Sequence, residues 1–242
     1  MMNRFDSSVS LAGLFSGTNK KPTLILLLTP ILLTVFKYYG SKQFYLENLQ
    51  NILQAGNPEW AGALYVFASS FILFGLVPVV VIRFVFRESL SDFGVRIGDW
   101  SFGWKALLVL GVIYAISGYS SSRMPEFLAE YPVYRGAGES GETFLLHAFS
   151  YLFFYAGWEM YFRGFMQFGL RPSFGDWNAI LIQVVASCLV HIGKPAAETF
   201  SSILGGLIWG ILAFRTRSLL YGIITHWILG ISLDAFIVLF TS

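Results

Sequence analysis

Seven ionisable residues lie in or against stretches otherwise apolar enough to cross a membrane: His147, Glu159, Arg163, His191, Glu198, His226 and Asp234. An ionised side chain at the centre of a bilayer costs about 2 to 3 kcal/mol or more, so each is a candidate for chemistry. All three histidines of the chain belong to this group. Glu159 and Arg163 are four residues apart, which puts them on one helical face with the acid N-terminal to the base, the favourable order for an ion pair. A carboxylate and two imidazoles can activate a water molecule, donate a proton to a leaving group and steady an oxyanion. They could also carry a proton through a transporter, or bind zinc through two histidines and one carboxylate, although no HExxH helix is present.

Depth sharpens the grouping. With a rise of about 1.5 Å per residue from the end of each span assigned to the cytoplasmic side, Glu159 lies about 16 Å deep, His191 about 21 Å and His226 about 12 Å. These positions overlap near the membrane middle, on three different helices. Asp234, about 24 Å deep and eight residues beyond His226, is expected to line the same cavity from above. His147 falls near the opposite end of its span and is expected to be an interfacial or satisfied core histidine.

The elements that must hold these groups are helices in a membrane. Of the 242 residues, 55% are hydrophobic, 18% aromatic and only 12% charged, about half the charged share of a soluble domain. A soluble protein, a disordered chain and, with one cysteine, an intrachain disulfide scaffold are excluded. The net charge of +2 is too small to imply a nucleic-acid partner. Apolar runs at 23–37, 60–82, 104–120, 143–169, 177–193, 199–214 and 218–240 predict an all-α polytopic transmembrane bundle of about seven to eight spans. The fourth run is long enough to be one tilted helix or two pieces.

With the N-terminus placed inside, eleven Lys and Arg residues fall on the inner side and five on the outer, a bias that predicts a cytoplasmic N-terminus in a cell membrane. Lys20 and Lys21 precede LILLL as the basic region of a signal peptide would, but no small-residue cleavage site follows and an uncleaved span is expected. Residues 1–22 read as a polar tail and 23–242 as a single membrane domain. Residues 41–54 have helical spacing suited to the membrane surface, 91–100 read as a turn, and 121–141 as an acidic loop. Ser202, Gly206 and Gly210 form a small-residue stripe on which another helix can pack.

The segments WEMYFRGF at 158–165, LVHIGKPAAE at 189–198 and ITHWILGISLD at 224–234 resemble the CAAX protease and bacteriocin-processing family, also called Abi. The resemblance extends over about residues 90–240. The family pattern is EExxxR, FxxxH and HxxxN or HxxxD on successive membrane helices. Glu159 and Arg163 match the second glutamate and the arginine of the first motif, His191 the histidine of the second and His226 that of the third. The resemblance implies hydrolysis of a peptide bond by Glu/His-activated water in a membrane-associated or lipidated substrate; no cofactor or metal is expected. Catalytic roles then fall to Glu159, His191 and His226, the last steadying the oxyanion as a third-motif residue, and an electrostatic one to Arg163.

Three positions depart from the pattern: Trp158 stands at the first glutamate, Ser187 at the phenylalanine and Gly230 at the asparagine or aspartate. The base is then either Glu159 itself or Glu198, with Asp234 a further acid. A catalytically silent relative that binds a membrane partner is the alternative reading, and a proton-coupled transporter a more distant one.

Overall fold

The computed structural model describes residues 11–241, all helix, turn and loop apart from one isolated bridge between Ile192 and Lys194. The first ten residues of the expected polar tail lie outside the described residues. Among the described residues, six helices are long and apolar enough to cross a membrane. They are α1 (Lys20–Tyr39), α2 (Pro58–Phe86), α3 (Trp100–Ser121), α4 (Gly141–Val190), α5 (Ala196–Thr216) and α6 (Leu220–Thr241). An all-α polytopic bundle is therefore the fold.

Six long helices carry the seven expected apolar runs, because one of the six is two arms that meet at a kink. The fourth and fifth apolar runs belong to one 50-residue helix, α4, which breaks at Gly175. There φ is 75° and ψ 174°, a conformation open essentially to glycine alone. The first arm of α4 can cross a bilayer by itself, and the second, ending at Val190, presents His191 at its terminus.

Capping side chains set where several helices begin. Asn57 accepts from the Trp60 amide at 3.0 Å before α2, Asp99 from the Phe102 amide at 3.0 Å before α3, and Ser140 from the Thr143 amide at 3.1 Å before α4. The expected turn at 91–100 ties α3 to the α5–α6 connection. Asp99 donates its amide to the Thr216 carbonyl at 2.8 Å, and Leu219 donates to the Gly94 carbonyl at 2.9 Å.

The core surrounds the wide, i→i+5-bonded stretch of α4 from Met160 to Phe168, where every residue from Met160 to Gln167 is buried. A stretch buried on all sides must satisfy its polar groups internally. Gln167 Nε2 accordingly donates to the Gly210 carbonyl at 2.8 Å, and Gln183 Nε2 to the Gly206 carbonyl at 2.9 Å. Both acceptors lie on the small-residue stripe of α5, so the stripe serves close packing. Gly157 brings α4 against α2, where an added Cβ would meet the Ser70 carbonyl oxygen at 2.6 Å.

Outside the long helices, residues 42–53 form short consecutive helical turns, and the acidic 121–141 segment contains a helix at Pro125–Glu130.

Candidate active site

The site is built where α4 lies against α6. Tyr155, Glu159 and Arg163 recur every four residues on α4, and Gly222, His226 and Gly230 every four on α6, so each presents one face. His226 Nδ1 lies 2.8 Å from Glu159 Oε1. A carboxylate accepts, so Nδ1 donates, and Nε2 is left as the ring's acceptor nitrogen. Arg163 Nη1 donates to the same Oε1 at 3.1 Å. Glu159 and Arg163 are each 1% exposed. Glu159 Oε2 has no partner among the described residues and faces Gly222, where an added Cβ would stand 2.9 Å away.

Aromatic rings clamp the imidazole of His226. Trp209 of α5 stacks on it with centroids 3.8 Å apart, and Tyr155 packs on it at 4.7 Å. Trp209 is itself held by its Nε1 donating to Thr225 Oγ1 at 3.0 Å, and it lies 5.4 Å beneath the Arg163 guanidinium.

His191 arrives from the turn after α4. Its Nδ1 lies 2.6 Å from the Ser187 carbonyl oxygen. A carbonyl only accepts, so this histidine too is left with Nε2 as its acceptor nitrogen. Thr199 Oγ1 holds the His191 carbonyl at 2.9 Å, and Lys37 of α1 holds the next carbonyl, that of Ile192, at 2.9 Å. Ser187, at the position where a phenylalanine was expected, thus supplies the backbone that orients His191. Trp158 stands edge-on to His191 with ring centroids 5.3 Å apart.

Two cavities meet at these residues. One, of about 290 Å³, opens between α3 and α5 and is lined by Arg163, His191, Glu198 and His226 among apolar side chains. The other, of about 550 Å³, runs to the end of the bundle that carries Lys37, Lys42, Arg135 and Lys194. Tyr155, Trp158, His191, Glu198 and His226 line both. Trp158 is therefore a wall between the cavities, and two imidazoles and a carboxylate remain open to them.

The structure separates the acids. Glu159 lines neither cavity and lies behind His226. Glu198 lines both, with Tyr131 donating to its two oxygens at 2.8 and 2.9 Å. Burial, with the Glu198 charge next to it, pushes the Tyr131 phenol well above its ordinary pKa, so this residue stays a donor.

Asp234 corrects the expectation that it lines the cavity. Its Oδ2 pairs with His147 Nε2 at 2.8 Å, and both side chains are fully buried. Its position, eight residues along from His226, turns it toward α4 above the site, where His147 is a core histidine rather than an interfacial one, paired at Nε2 and with Nδ1 lacking a partner among the described residues. Among the described residues, no group of three or more His, Cys, Asp or Glu side chains is arranged to hold a metal ion.

Sequence reasoning passed over Tyr155, Tyr131 and Trp209, since uncharged aromatics in a chain with 24 phenylalanines and 12 tyrosines do not stand out. The available signal for Tyr155 was its place four residues before Glu159.

Residues 140–231 match the family model described as Type II CAAX prenyl endopeptidase Rce1-like. No curated protein and no solved structure matches the chain.

Proposed function

We propose that the chain, whose residues 140–231 match the Type II CAAX prenyl endopeptidase Rce1-like family model, is an intramembrane endopeptidase of the CAAX protease and Abi family in which the Glu159–His226 pair activates water. The observation that carries the reading is the 2.8 Å contact of His226 Nδ1 with Glu159, which leaves Nε2 as an acceptor on a residue open to two cavities. A carboxylate behind an imidazole fixes its tautomer and stabilises the imidazolium that forms when Nε2 takes a proton.

The steps follow from that arrangement. Water bound at His226 Nε2 gives up a proton to it while the water oxygen bonds to the substrate carbonyl carbon, and the C=O π pair moves onto the oxygen. As that pair returns, the C–N bond breaks and the amine nitrogen takes the proton from His226. His191 Nε2, on the same cavities, accepts the second hydrogen of the water and fixes its direction. Arg163 offsets the charge of Glu159. Glu198 lines the route by which water and the polar part of a substrate reach the histidines.

The substrate class that suits the site is a membrane-associated or lipidated peptide. Its apolar part fits the cavity between α3 and α5, and its polar part fits the cavity edged by lysines and arginine. The lipid bilayer is the other partner, with the N-terminus on the cytoplasmic side of a cell membrane as the charge bias suggests. Neither cofactor nor metal enters these steps.

The test is cleavage of membrane-tethered peptides by the full-length protein in liposomes. Wild type should cleave, and His226→Ala and His191→Ala should lose turnover while remaining folded. Turnover by folded His226→Ala at the wild-type rate overturns the reading. The silent-relative reading rests on Trp158 and Gly230, and it predicts peptide binding without cleavage in the same assay.

A further inference from the structure

A tetrahedral intermediate formed inside a bilayer needs a hydrogen-bond donor for its oxyanion, because the low dielectric leaves that charge otherwise uncompensated. Both histidines present Nε2 as an acceptor, so the donor must come from elsewhere on the cavity wall. Several candidates are committed or sealed. Arg163, which also lines the first cavity, is paired through Nη1 with the Glu159 carboxylate, Tyr131 donates to Glu198 and Trp209 Nε1 to Thr225. Trp158 Nε1, Arg163 Nε and the Tyr114 hydroxyl are buried in packing without a partner.

The Tyr155 hydroxyl shares a hydrogen bond with the Tyr151 hydroxyl, and with Tyr151 as the donor its own O–H is left for a further acceptor. Its residue lines both cavities, and its ring packs on His226 at 4.7 Å. It also fills a place that α6 leaves open. A Cβ built on Gly230, one turn beyond His226, would collide with the Tyr155 hydroxyl oxygen. Any side chain at 230 would have to occupy the volume that this phenol takes. One turn further along α4 and two turns back along α6, Gly222 makes the same room for Glu159.

We propose that the Tyr155 hydroxyl is the oxyanion donor of this site, supplied by α4 across Gly230. This rests on the peptidase reading above. When the water oxygen bonds to the carbonyl carbon, the π pair arriving on the carbonyl oxygen is met by the Tyr155 O–H. The hydroxyl donates a hydrogen bond and keeps its proton, and the bond is released as the pair returns and the C–N bond breaks.

The experiment uses the full-length protein in liposomes with a membrane-tethered peptide and its phosphinic analogue, whose tetrahedral anionic centre mimics the intermediate. Tyr155→Phe keeps the ring and removes the donor. It should lower kcat on the order of 100-fold with KM within about two-fold of wild type. Affinity for the phosphinic analogue should fall by a similar factor while affinity for the uncleaved peptide stays.

Tyr155→Ala combined with Gly230→Asn puts a carboxamide donor into the vacated space and should recover kcat by about tenfold or more over Tyr155→Ala alone. That pair also serves as the test should Tyr155→Phe not fold. Wild-type cleavage with an unchanged Tyr155→Phe kcat, equal loss of affinity for both ligands, or no recovery in the paired variant overturns this inference alone. Wild type that cleaves no peptide overturns the peptidase reading and this inference with it.

Discussion

His226 and Glu159 meet at 2.8 Å between α6 and α4, with Glu159 on the far side of the imidazole from the cavities. In the proposed mechanism the carboxylate is therefore a positioning group that acts through the histidine. Glu159→Gln should keep the shape but let the amide donate to Nδ1 and turn the ring to the wrong tautomer. A loss of kcat by a factor on the order of 10² to 10⁴, with little change in KM, is expected from steady-state kinetics on a tethered peptide.

Arg163 is 1% exposed and balances a carboxylate 1% exposed. Removing one member of a buried pair leaves an uncompensated charge, at a cost of about 3 to 5 kcal/mol. Arg163→Met should therefore lower stability by about that amount in reversible detergent unfolding. Glu159→Leu together with Arg163→Met should recover a large part of it, because no orphaned charge remains.

The His147–Asp234 pair at 2.8 Å is buried, lies outside the cavity lining and holds α4 to α6 above the site. Asp234→Ala leaves His147 Nε2 without its partner and should cost about 1 to 3 kcal/mol. Turnover per folded molecule, measured after unfolded protein is removed, should remain close to that of wild type. A loss of kcat as large as that of His226→Ala would place Asp234 in the chemistry instead.

At Gly175 an added Cβ would meet nothing within 4 Å, so only the backbone opposes substitution there. Gly175→Ala should cost about 1 to 3 kcal/mol through the φ of 75° alone, and thermal unfolding in detergent reads it. A stability equal to that of wild type would mean that the break in α4 does not depend on this residue.

Asp99, ahead of α3, is held below its ordinary carboxylate pKa of 3.8, first by the Phe102 amide and then by Arg215 at 2.8 Å. A lowered folded pKa means that the stabilisation is present above 3.8 and fades as pH falls through the folded value. Asp99→Asn should therefore make the unfolding temperature less sensitive to pH on the acid side of 3.8, with the difference between the two proteins shrinking as pH falls.

Much of this was legible in the residues. Apolar run lengths dictate membrane helices, because a bilayer admits no other way for a single chain of this composition to satisfy its backbone. The four-residue spacing of Glu159 and Arg163 dictates a shared face. The depths of Glu159, His191 and His226 brought three helices to one level. The gap at 170–176 between the fourth and fifth apolar runs is where α4 breaks, at a glycine in a rare backbone conformation.

Relations across helices were not legible, since they depend on the rotation of each helix about its axis, and that is set by packing rather than by depth. The sequence left both Glu159 and Glu198 open as the base, and depth put Asp234 near the same cavity. Only the tertiary structure put Glu159 behind His226, Glu198 on the cavity wall and Asp234 against His147. The same holds for Gly230, which in the sequence is a missing side chain and in the folded protein is the space filled by Tyr155. Composition and spacing thus determined a membrane bundle carrying buried acid–base groups. Which of those groups touch one another, and which face the cavities, was decided by how α4, α5 and α6 turn toward each other to bury their aromatic faces.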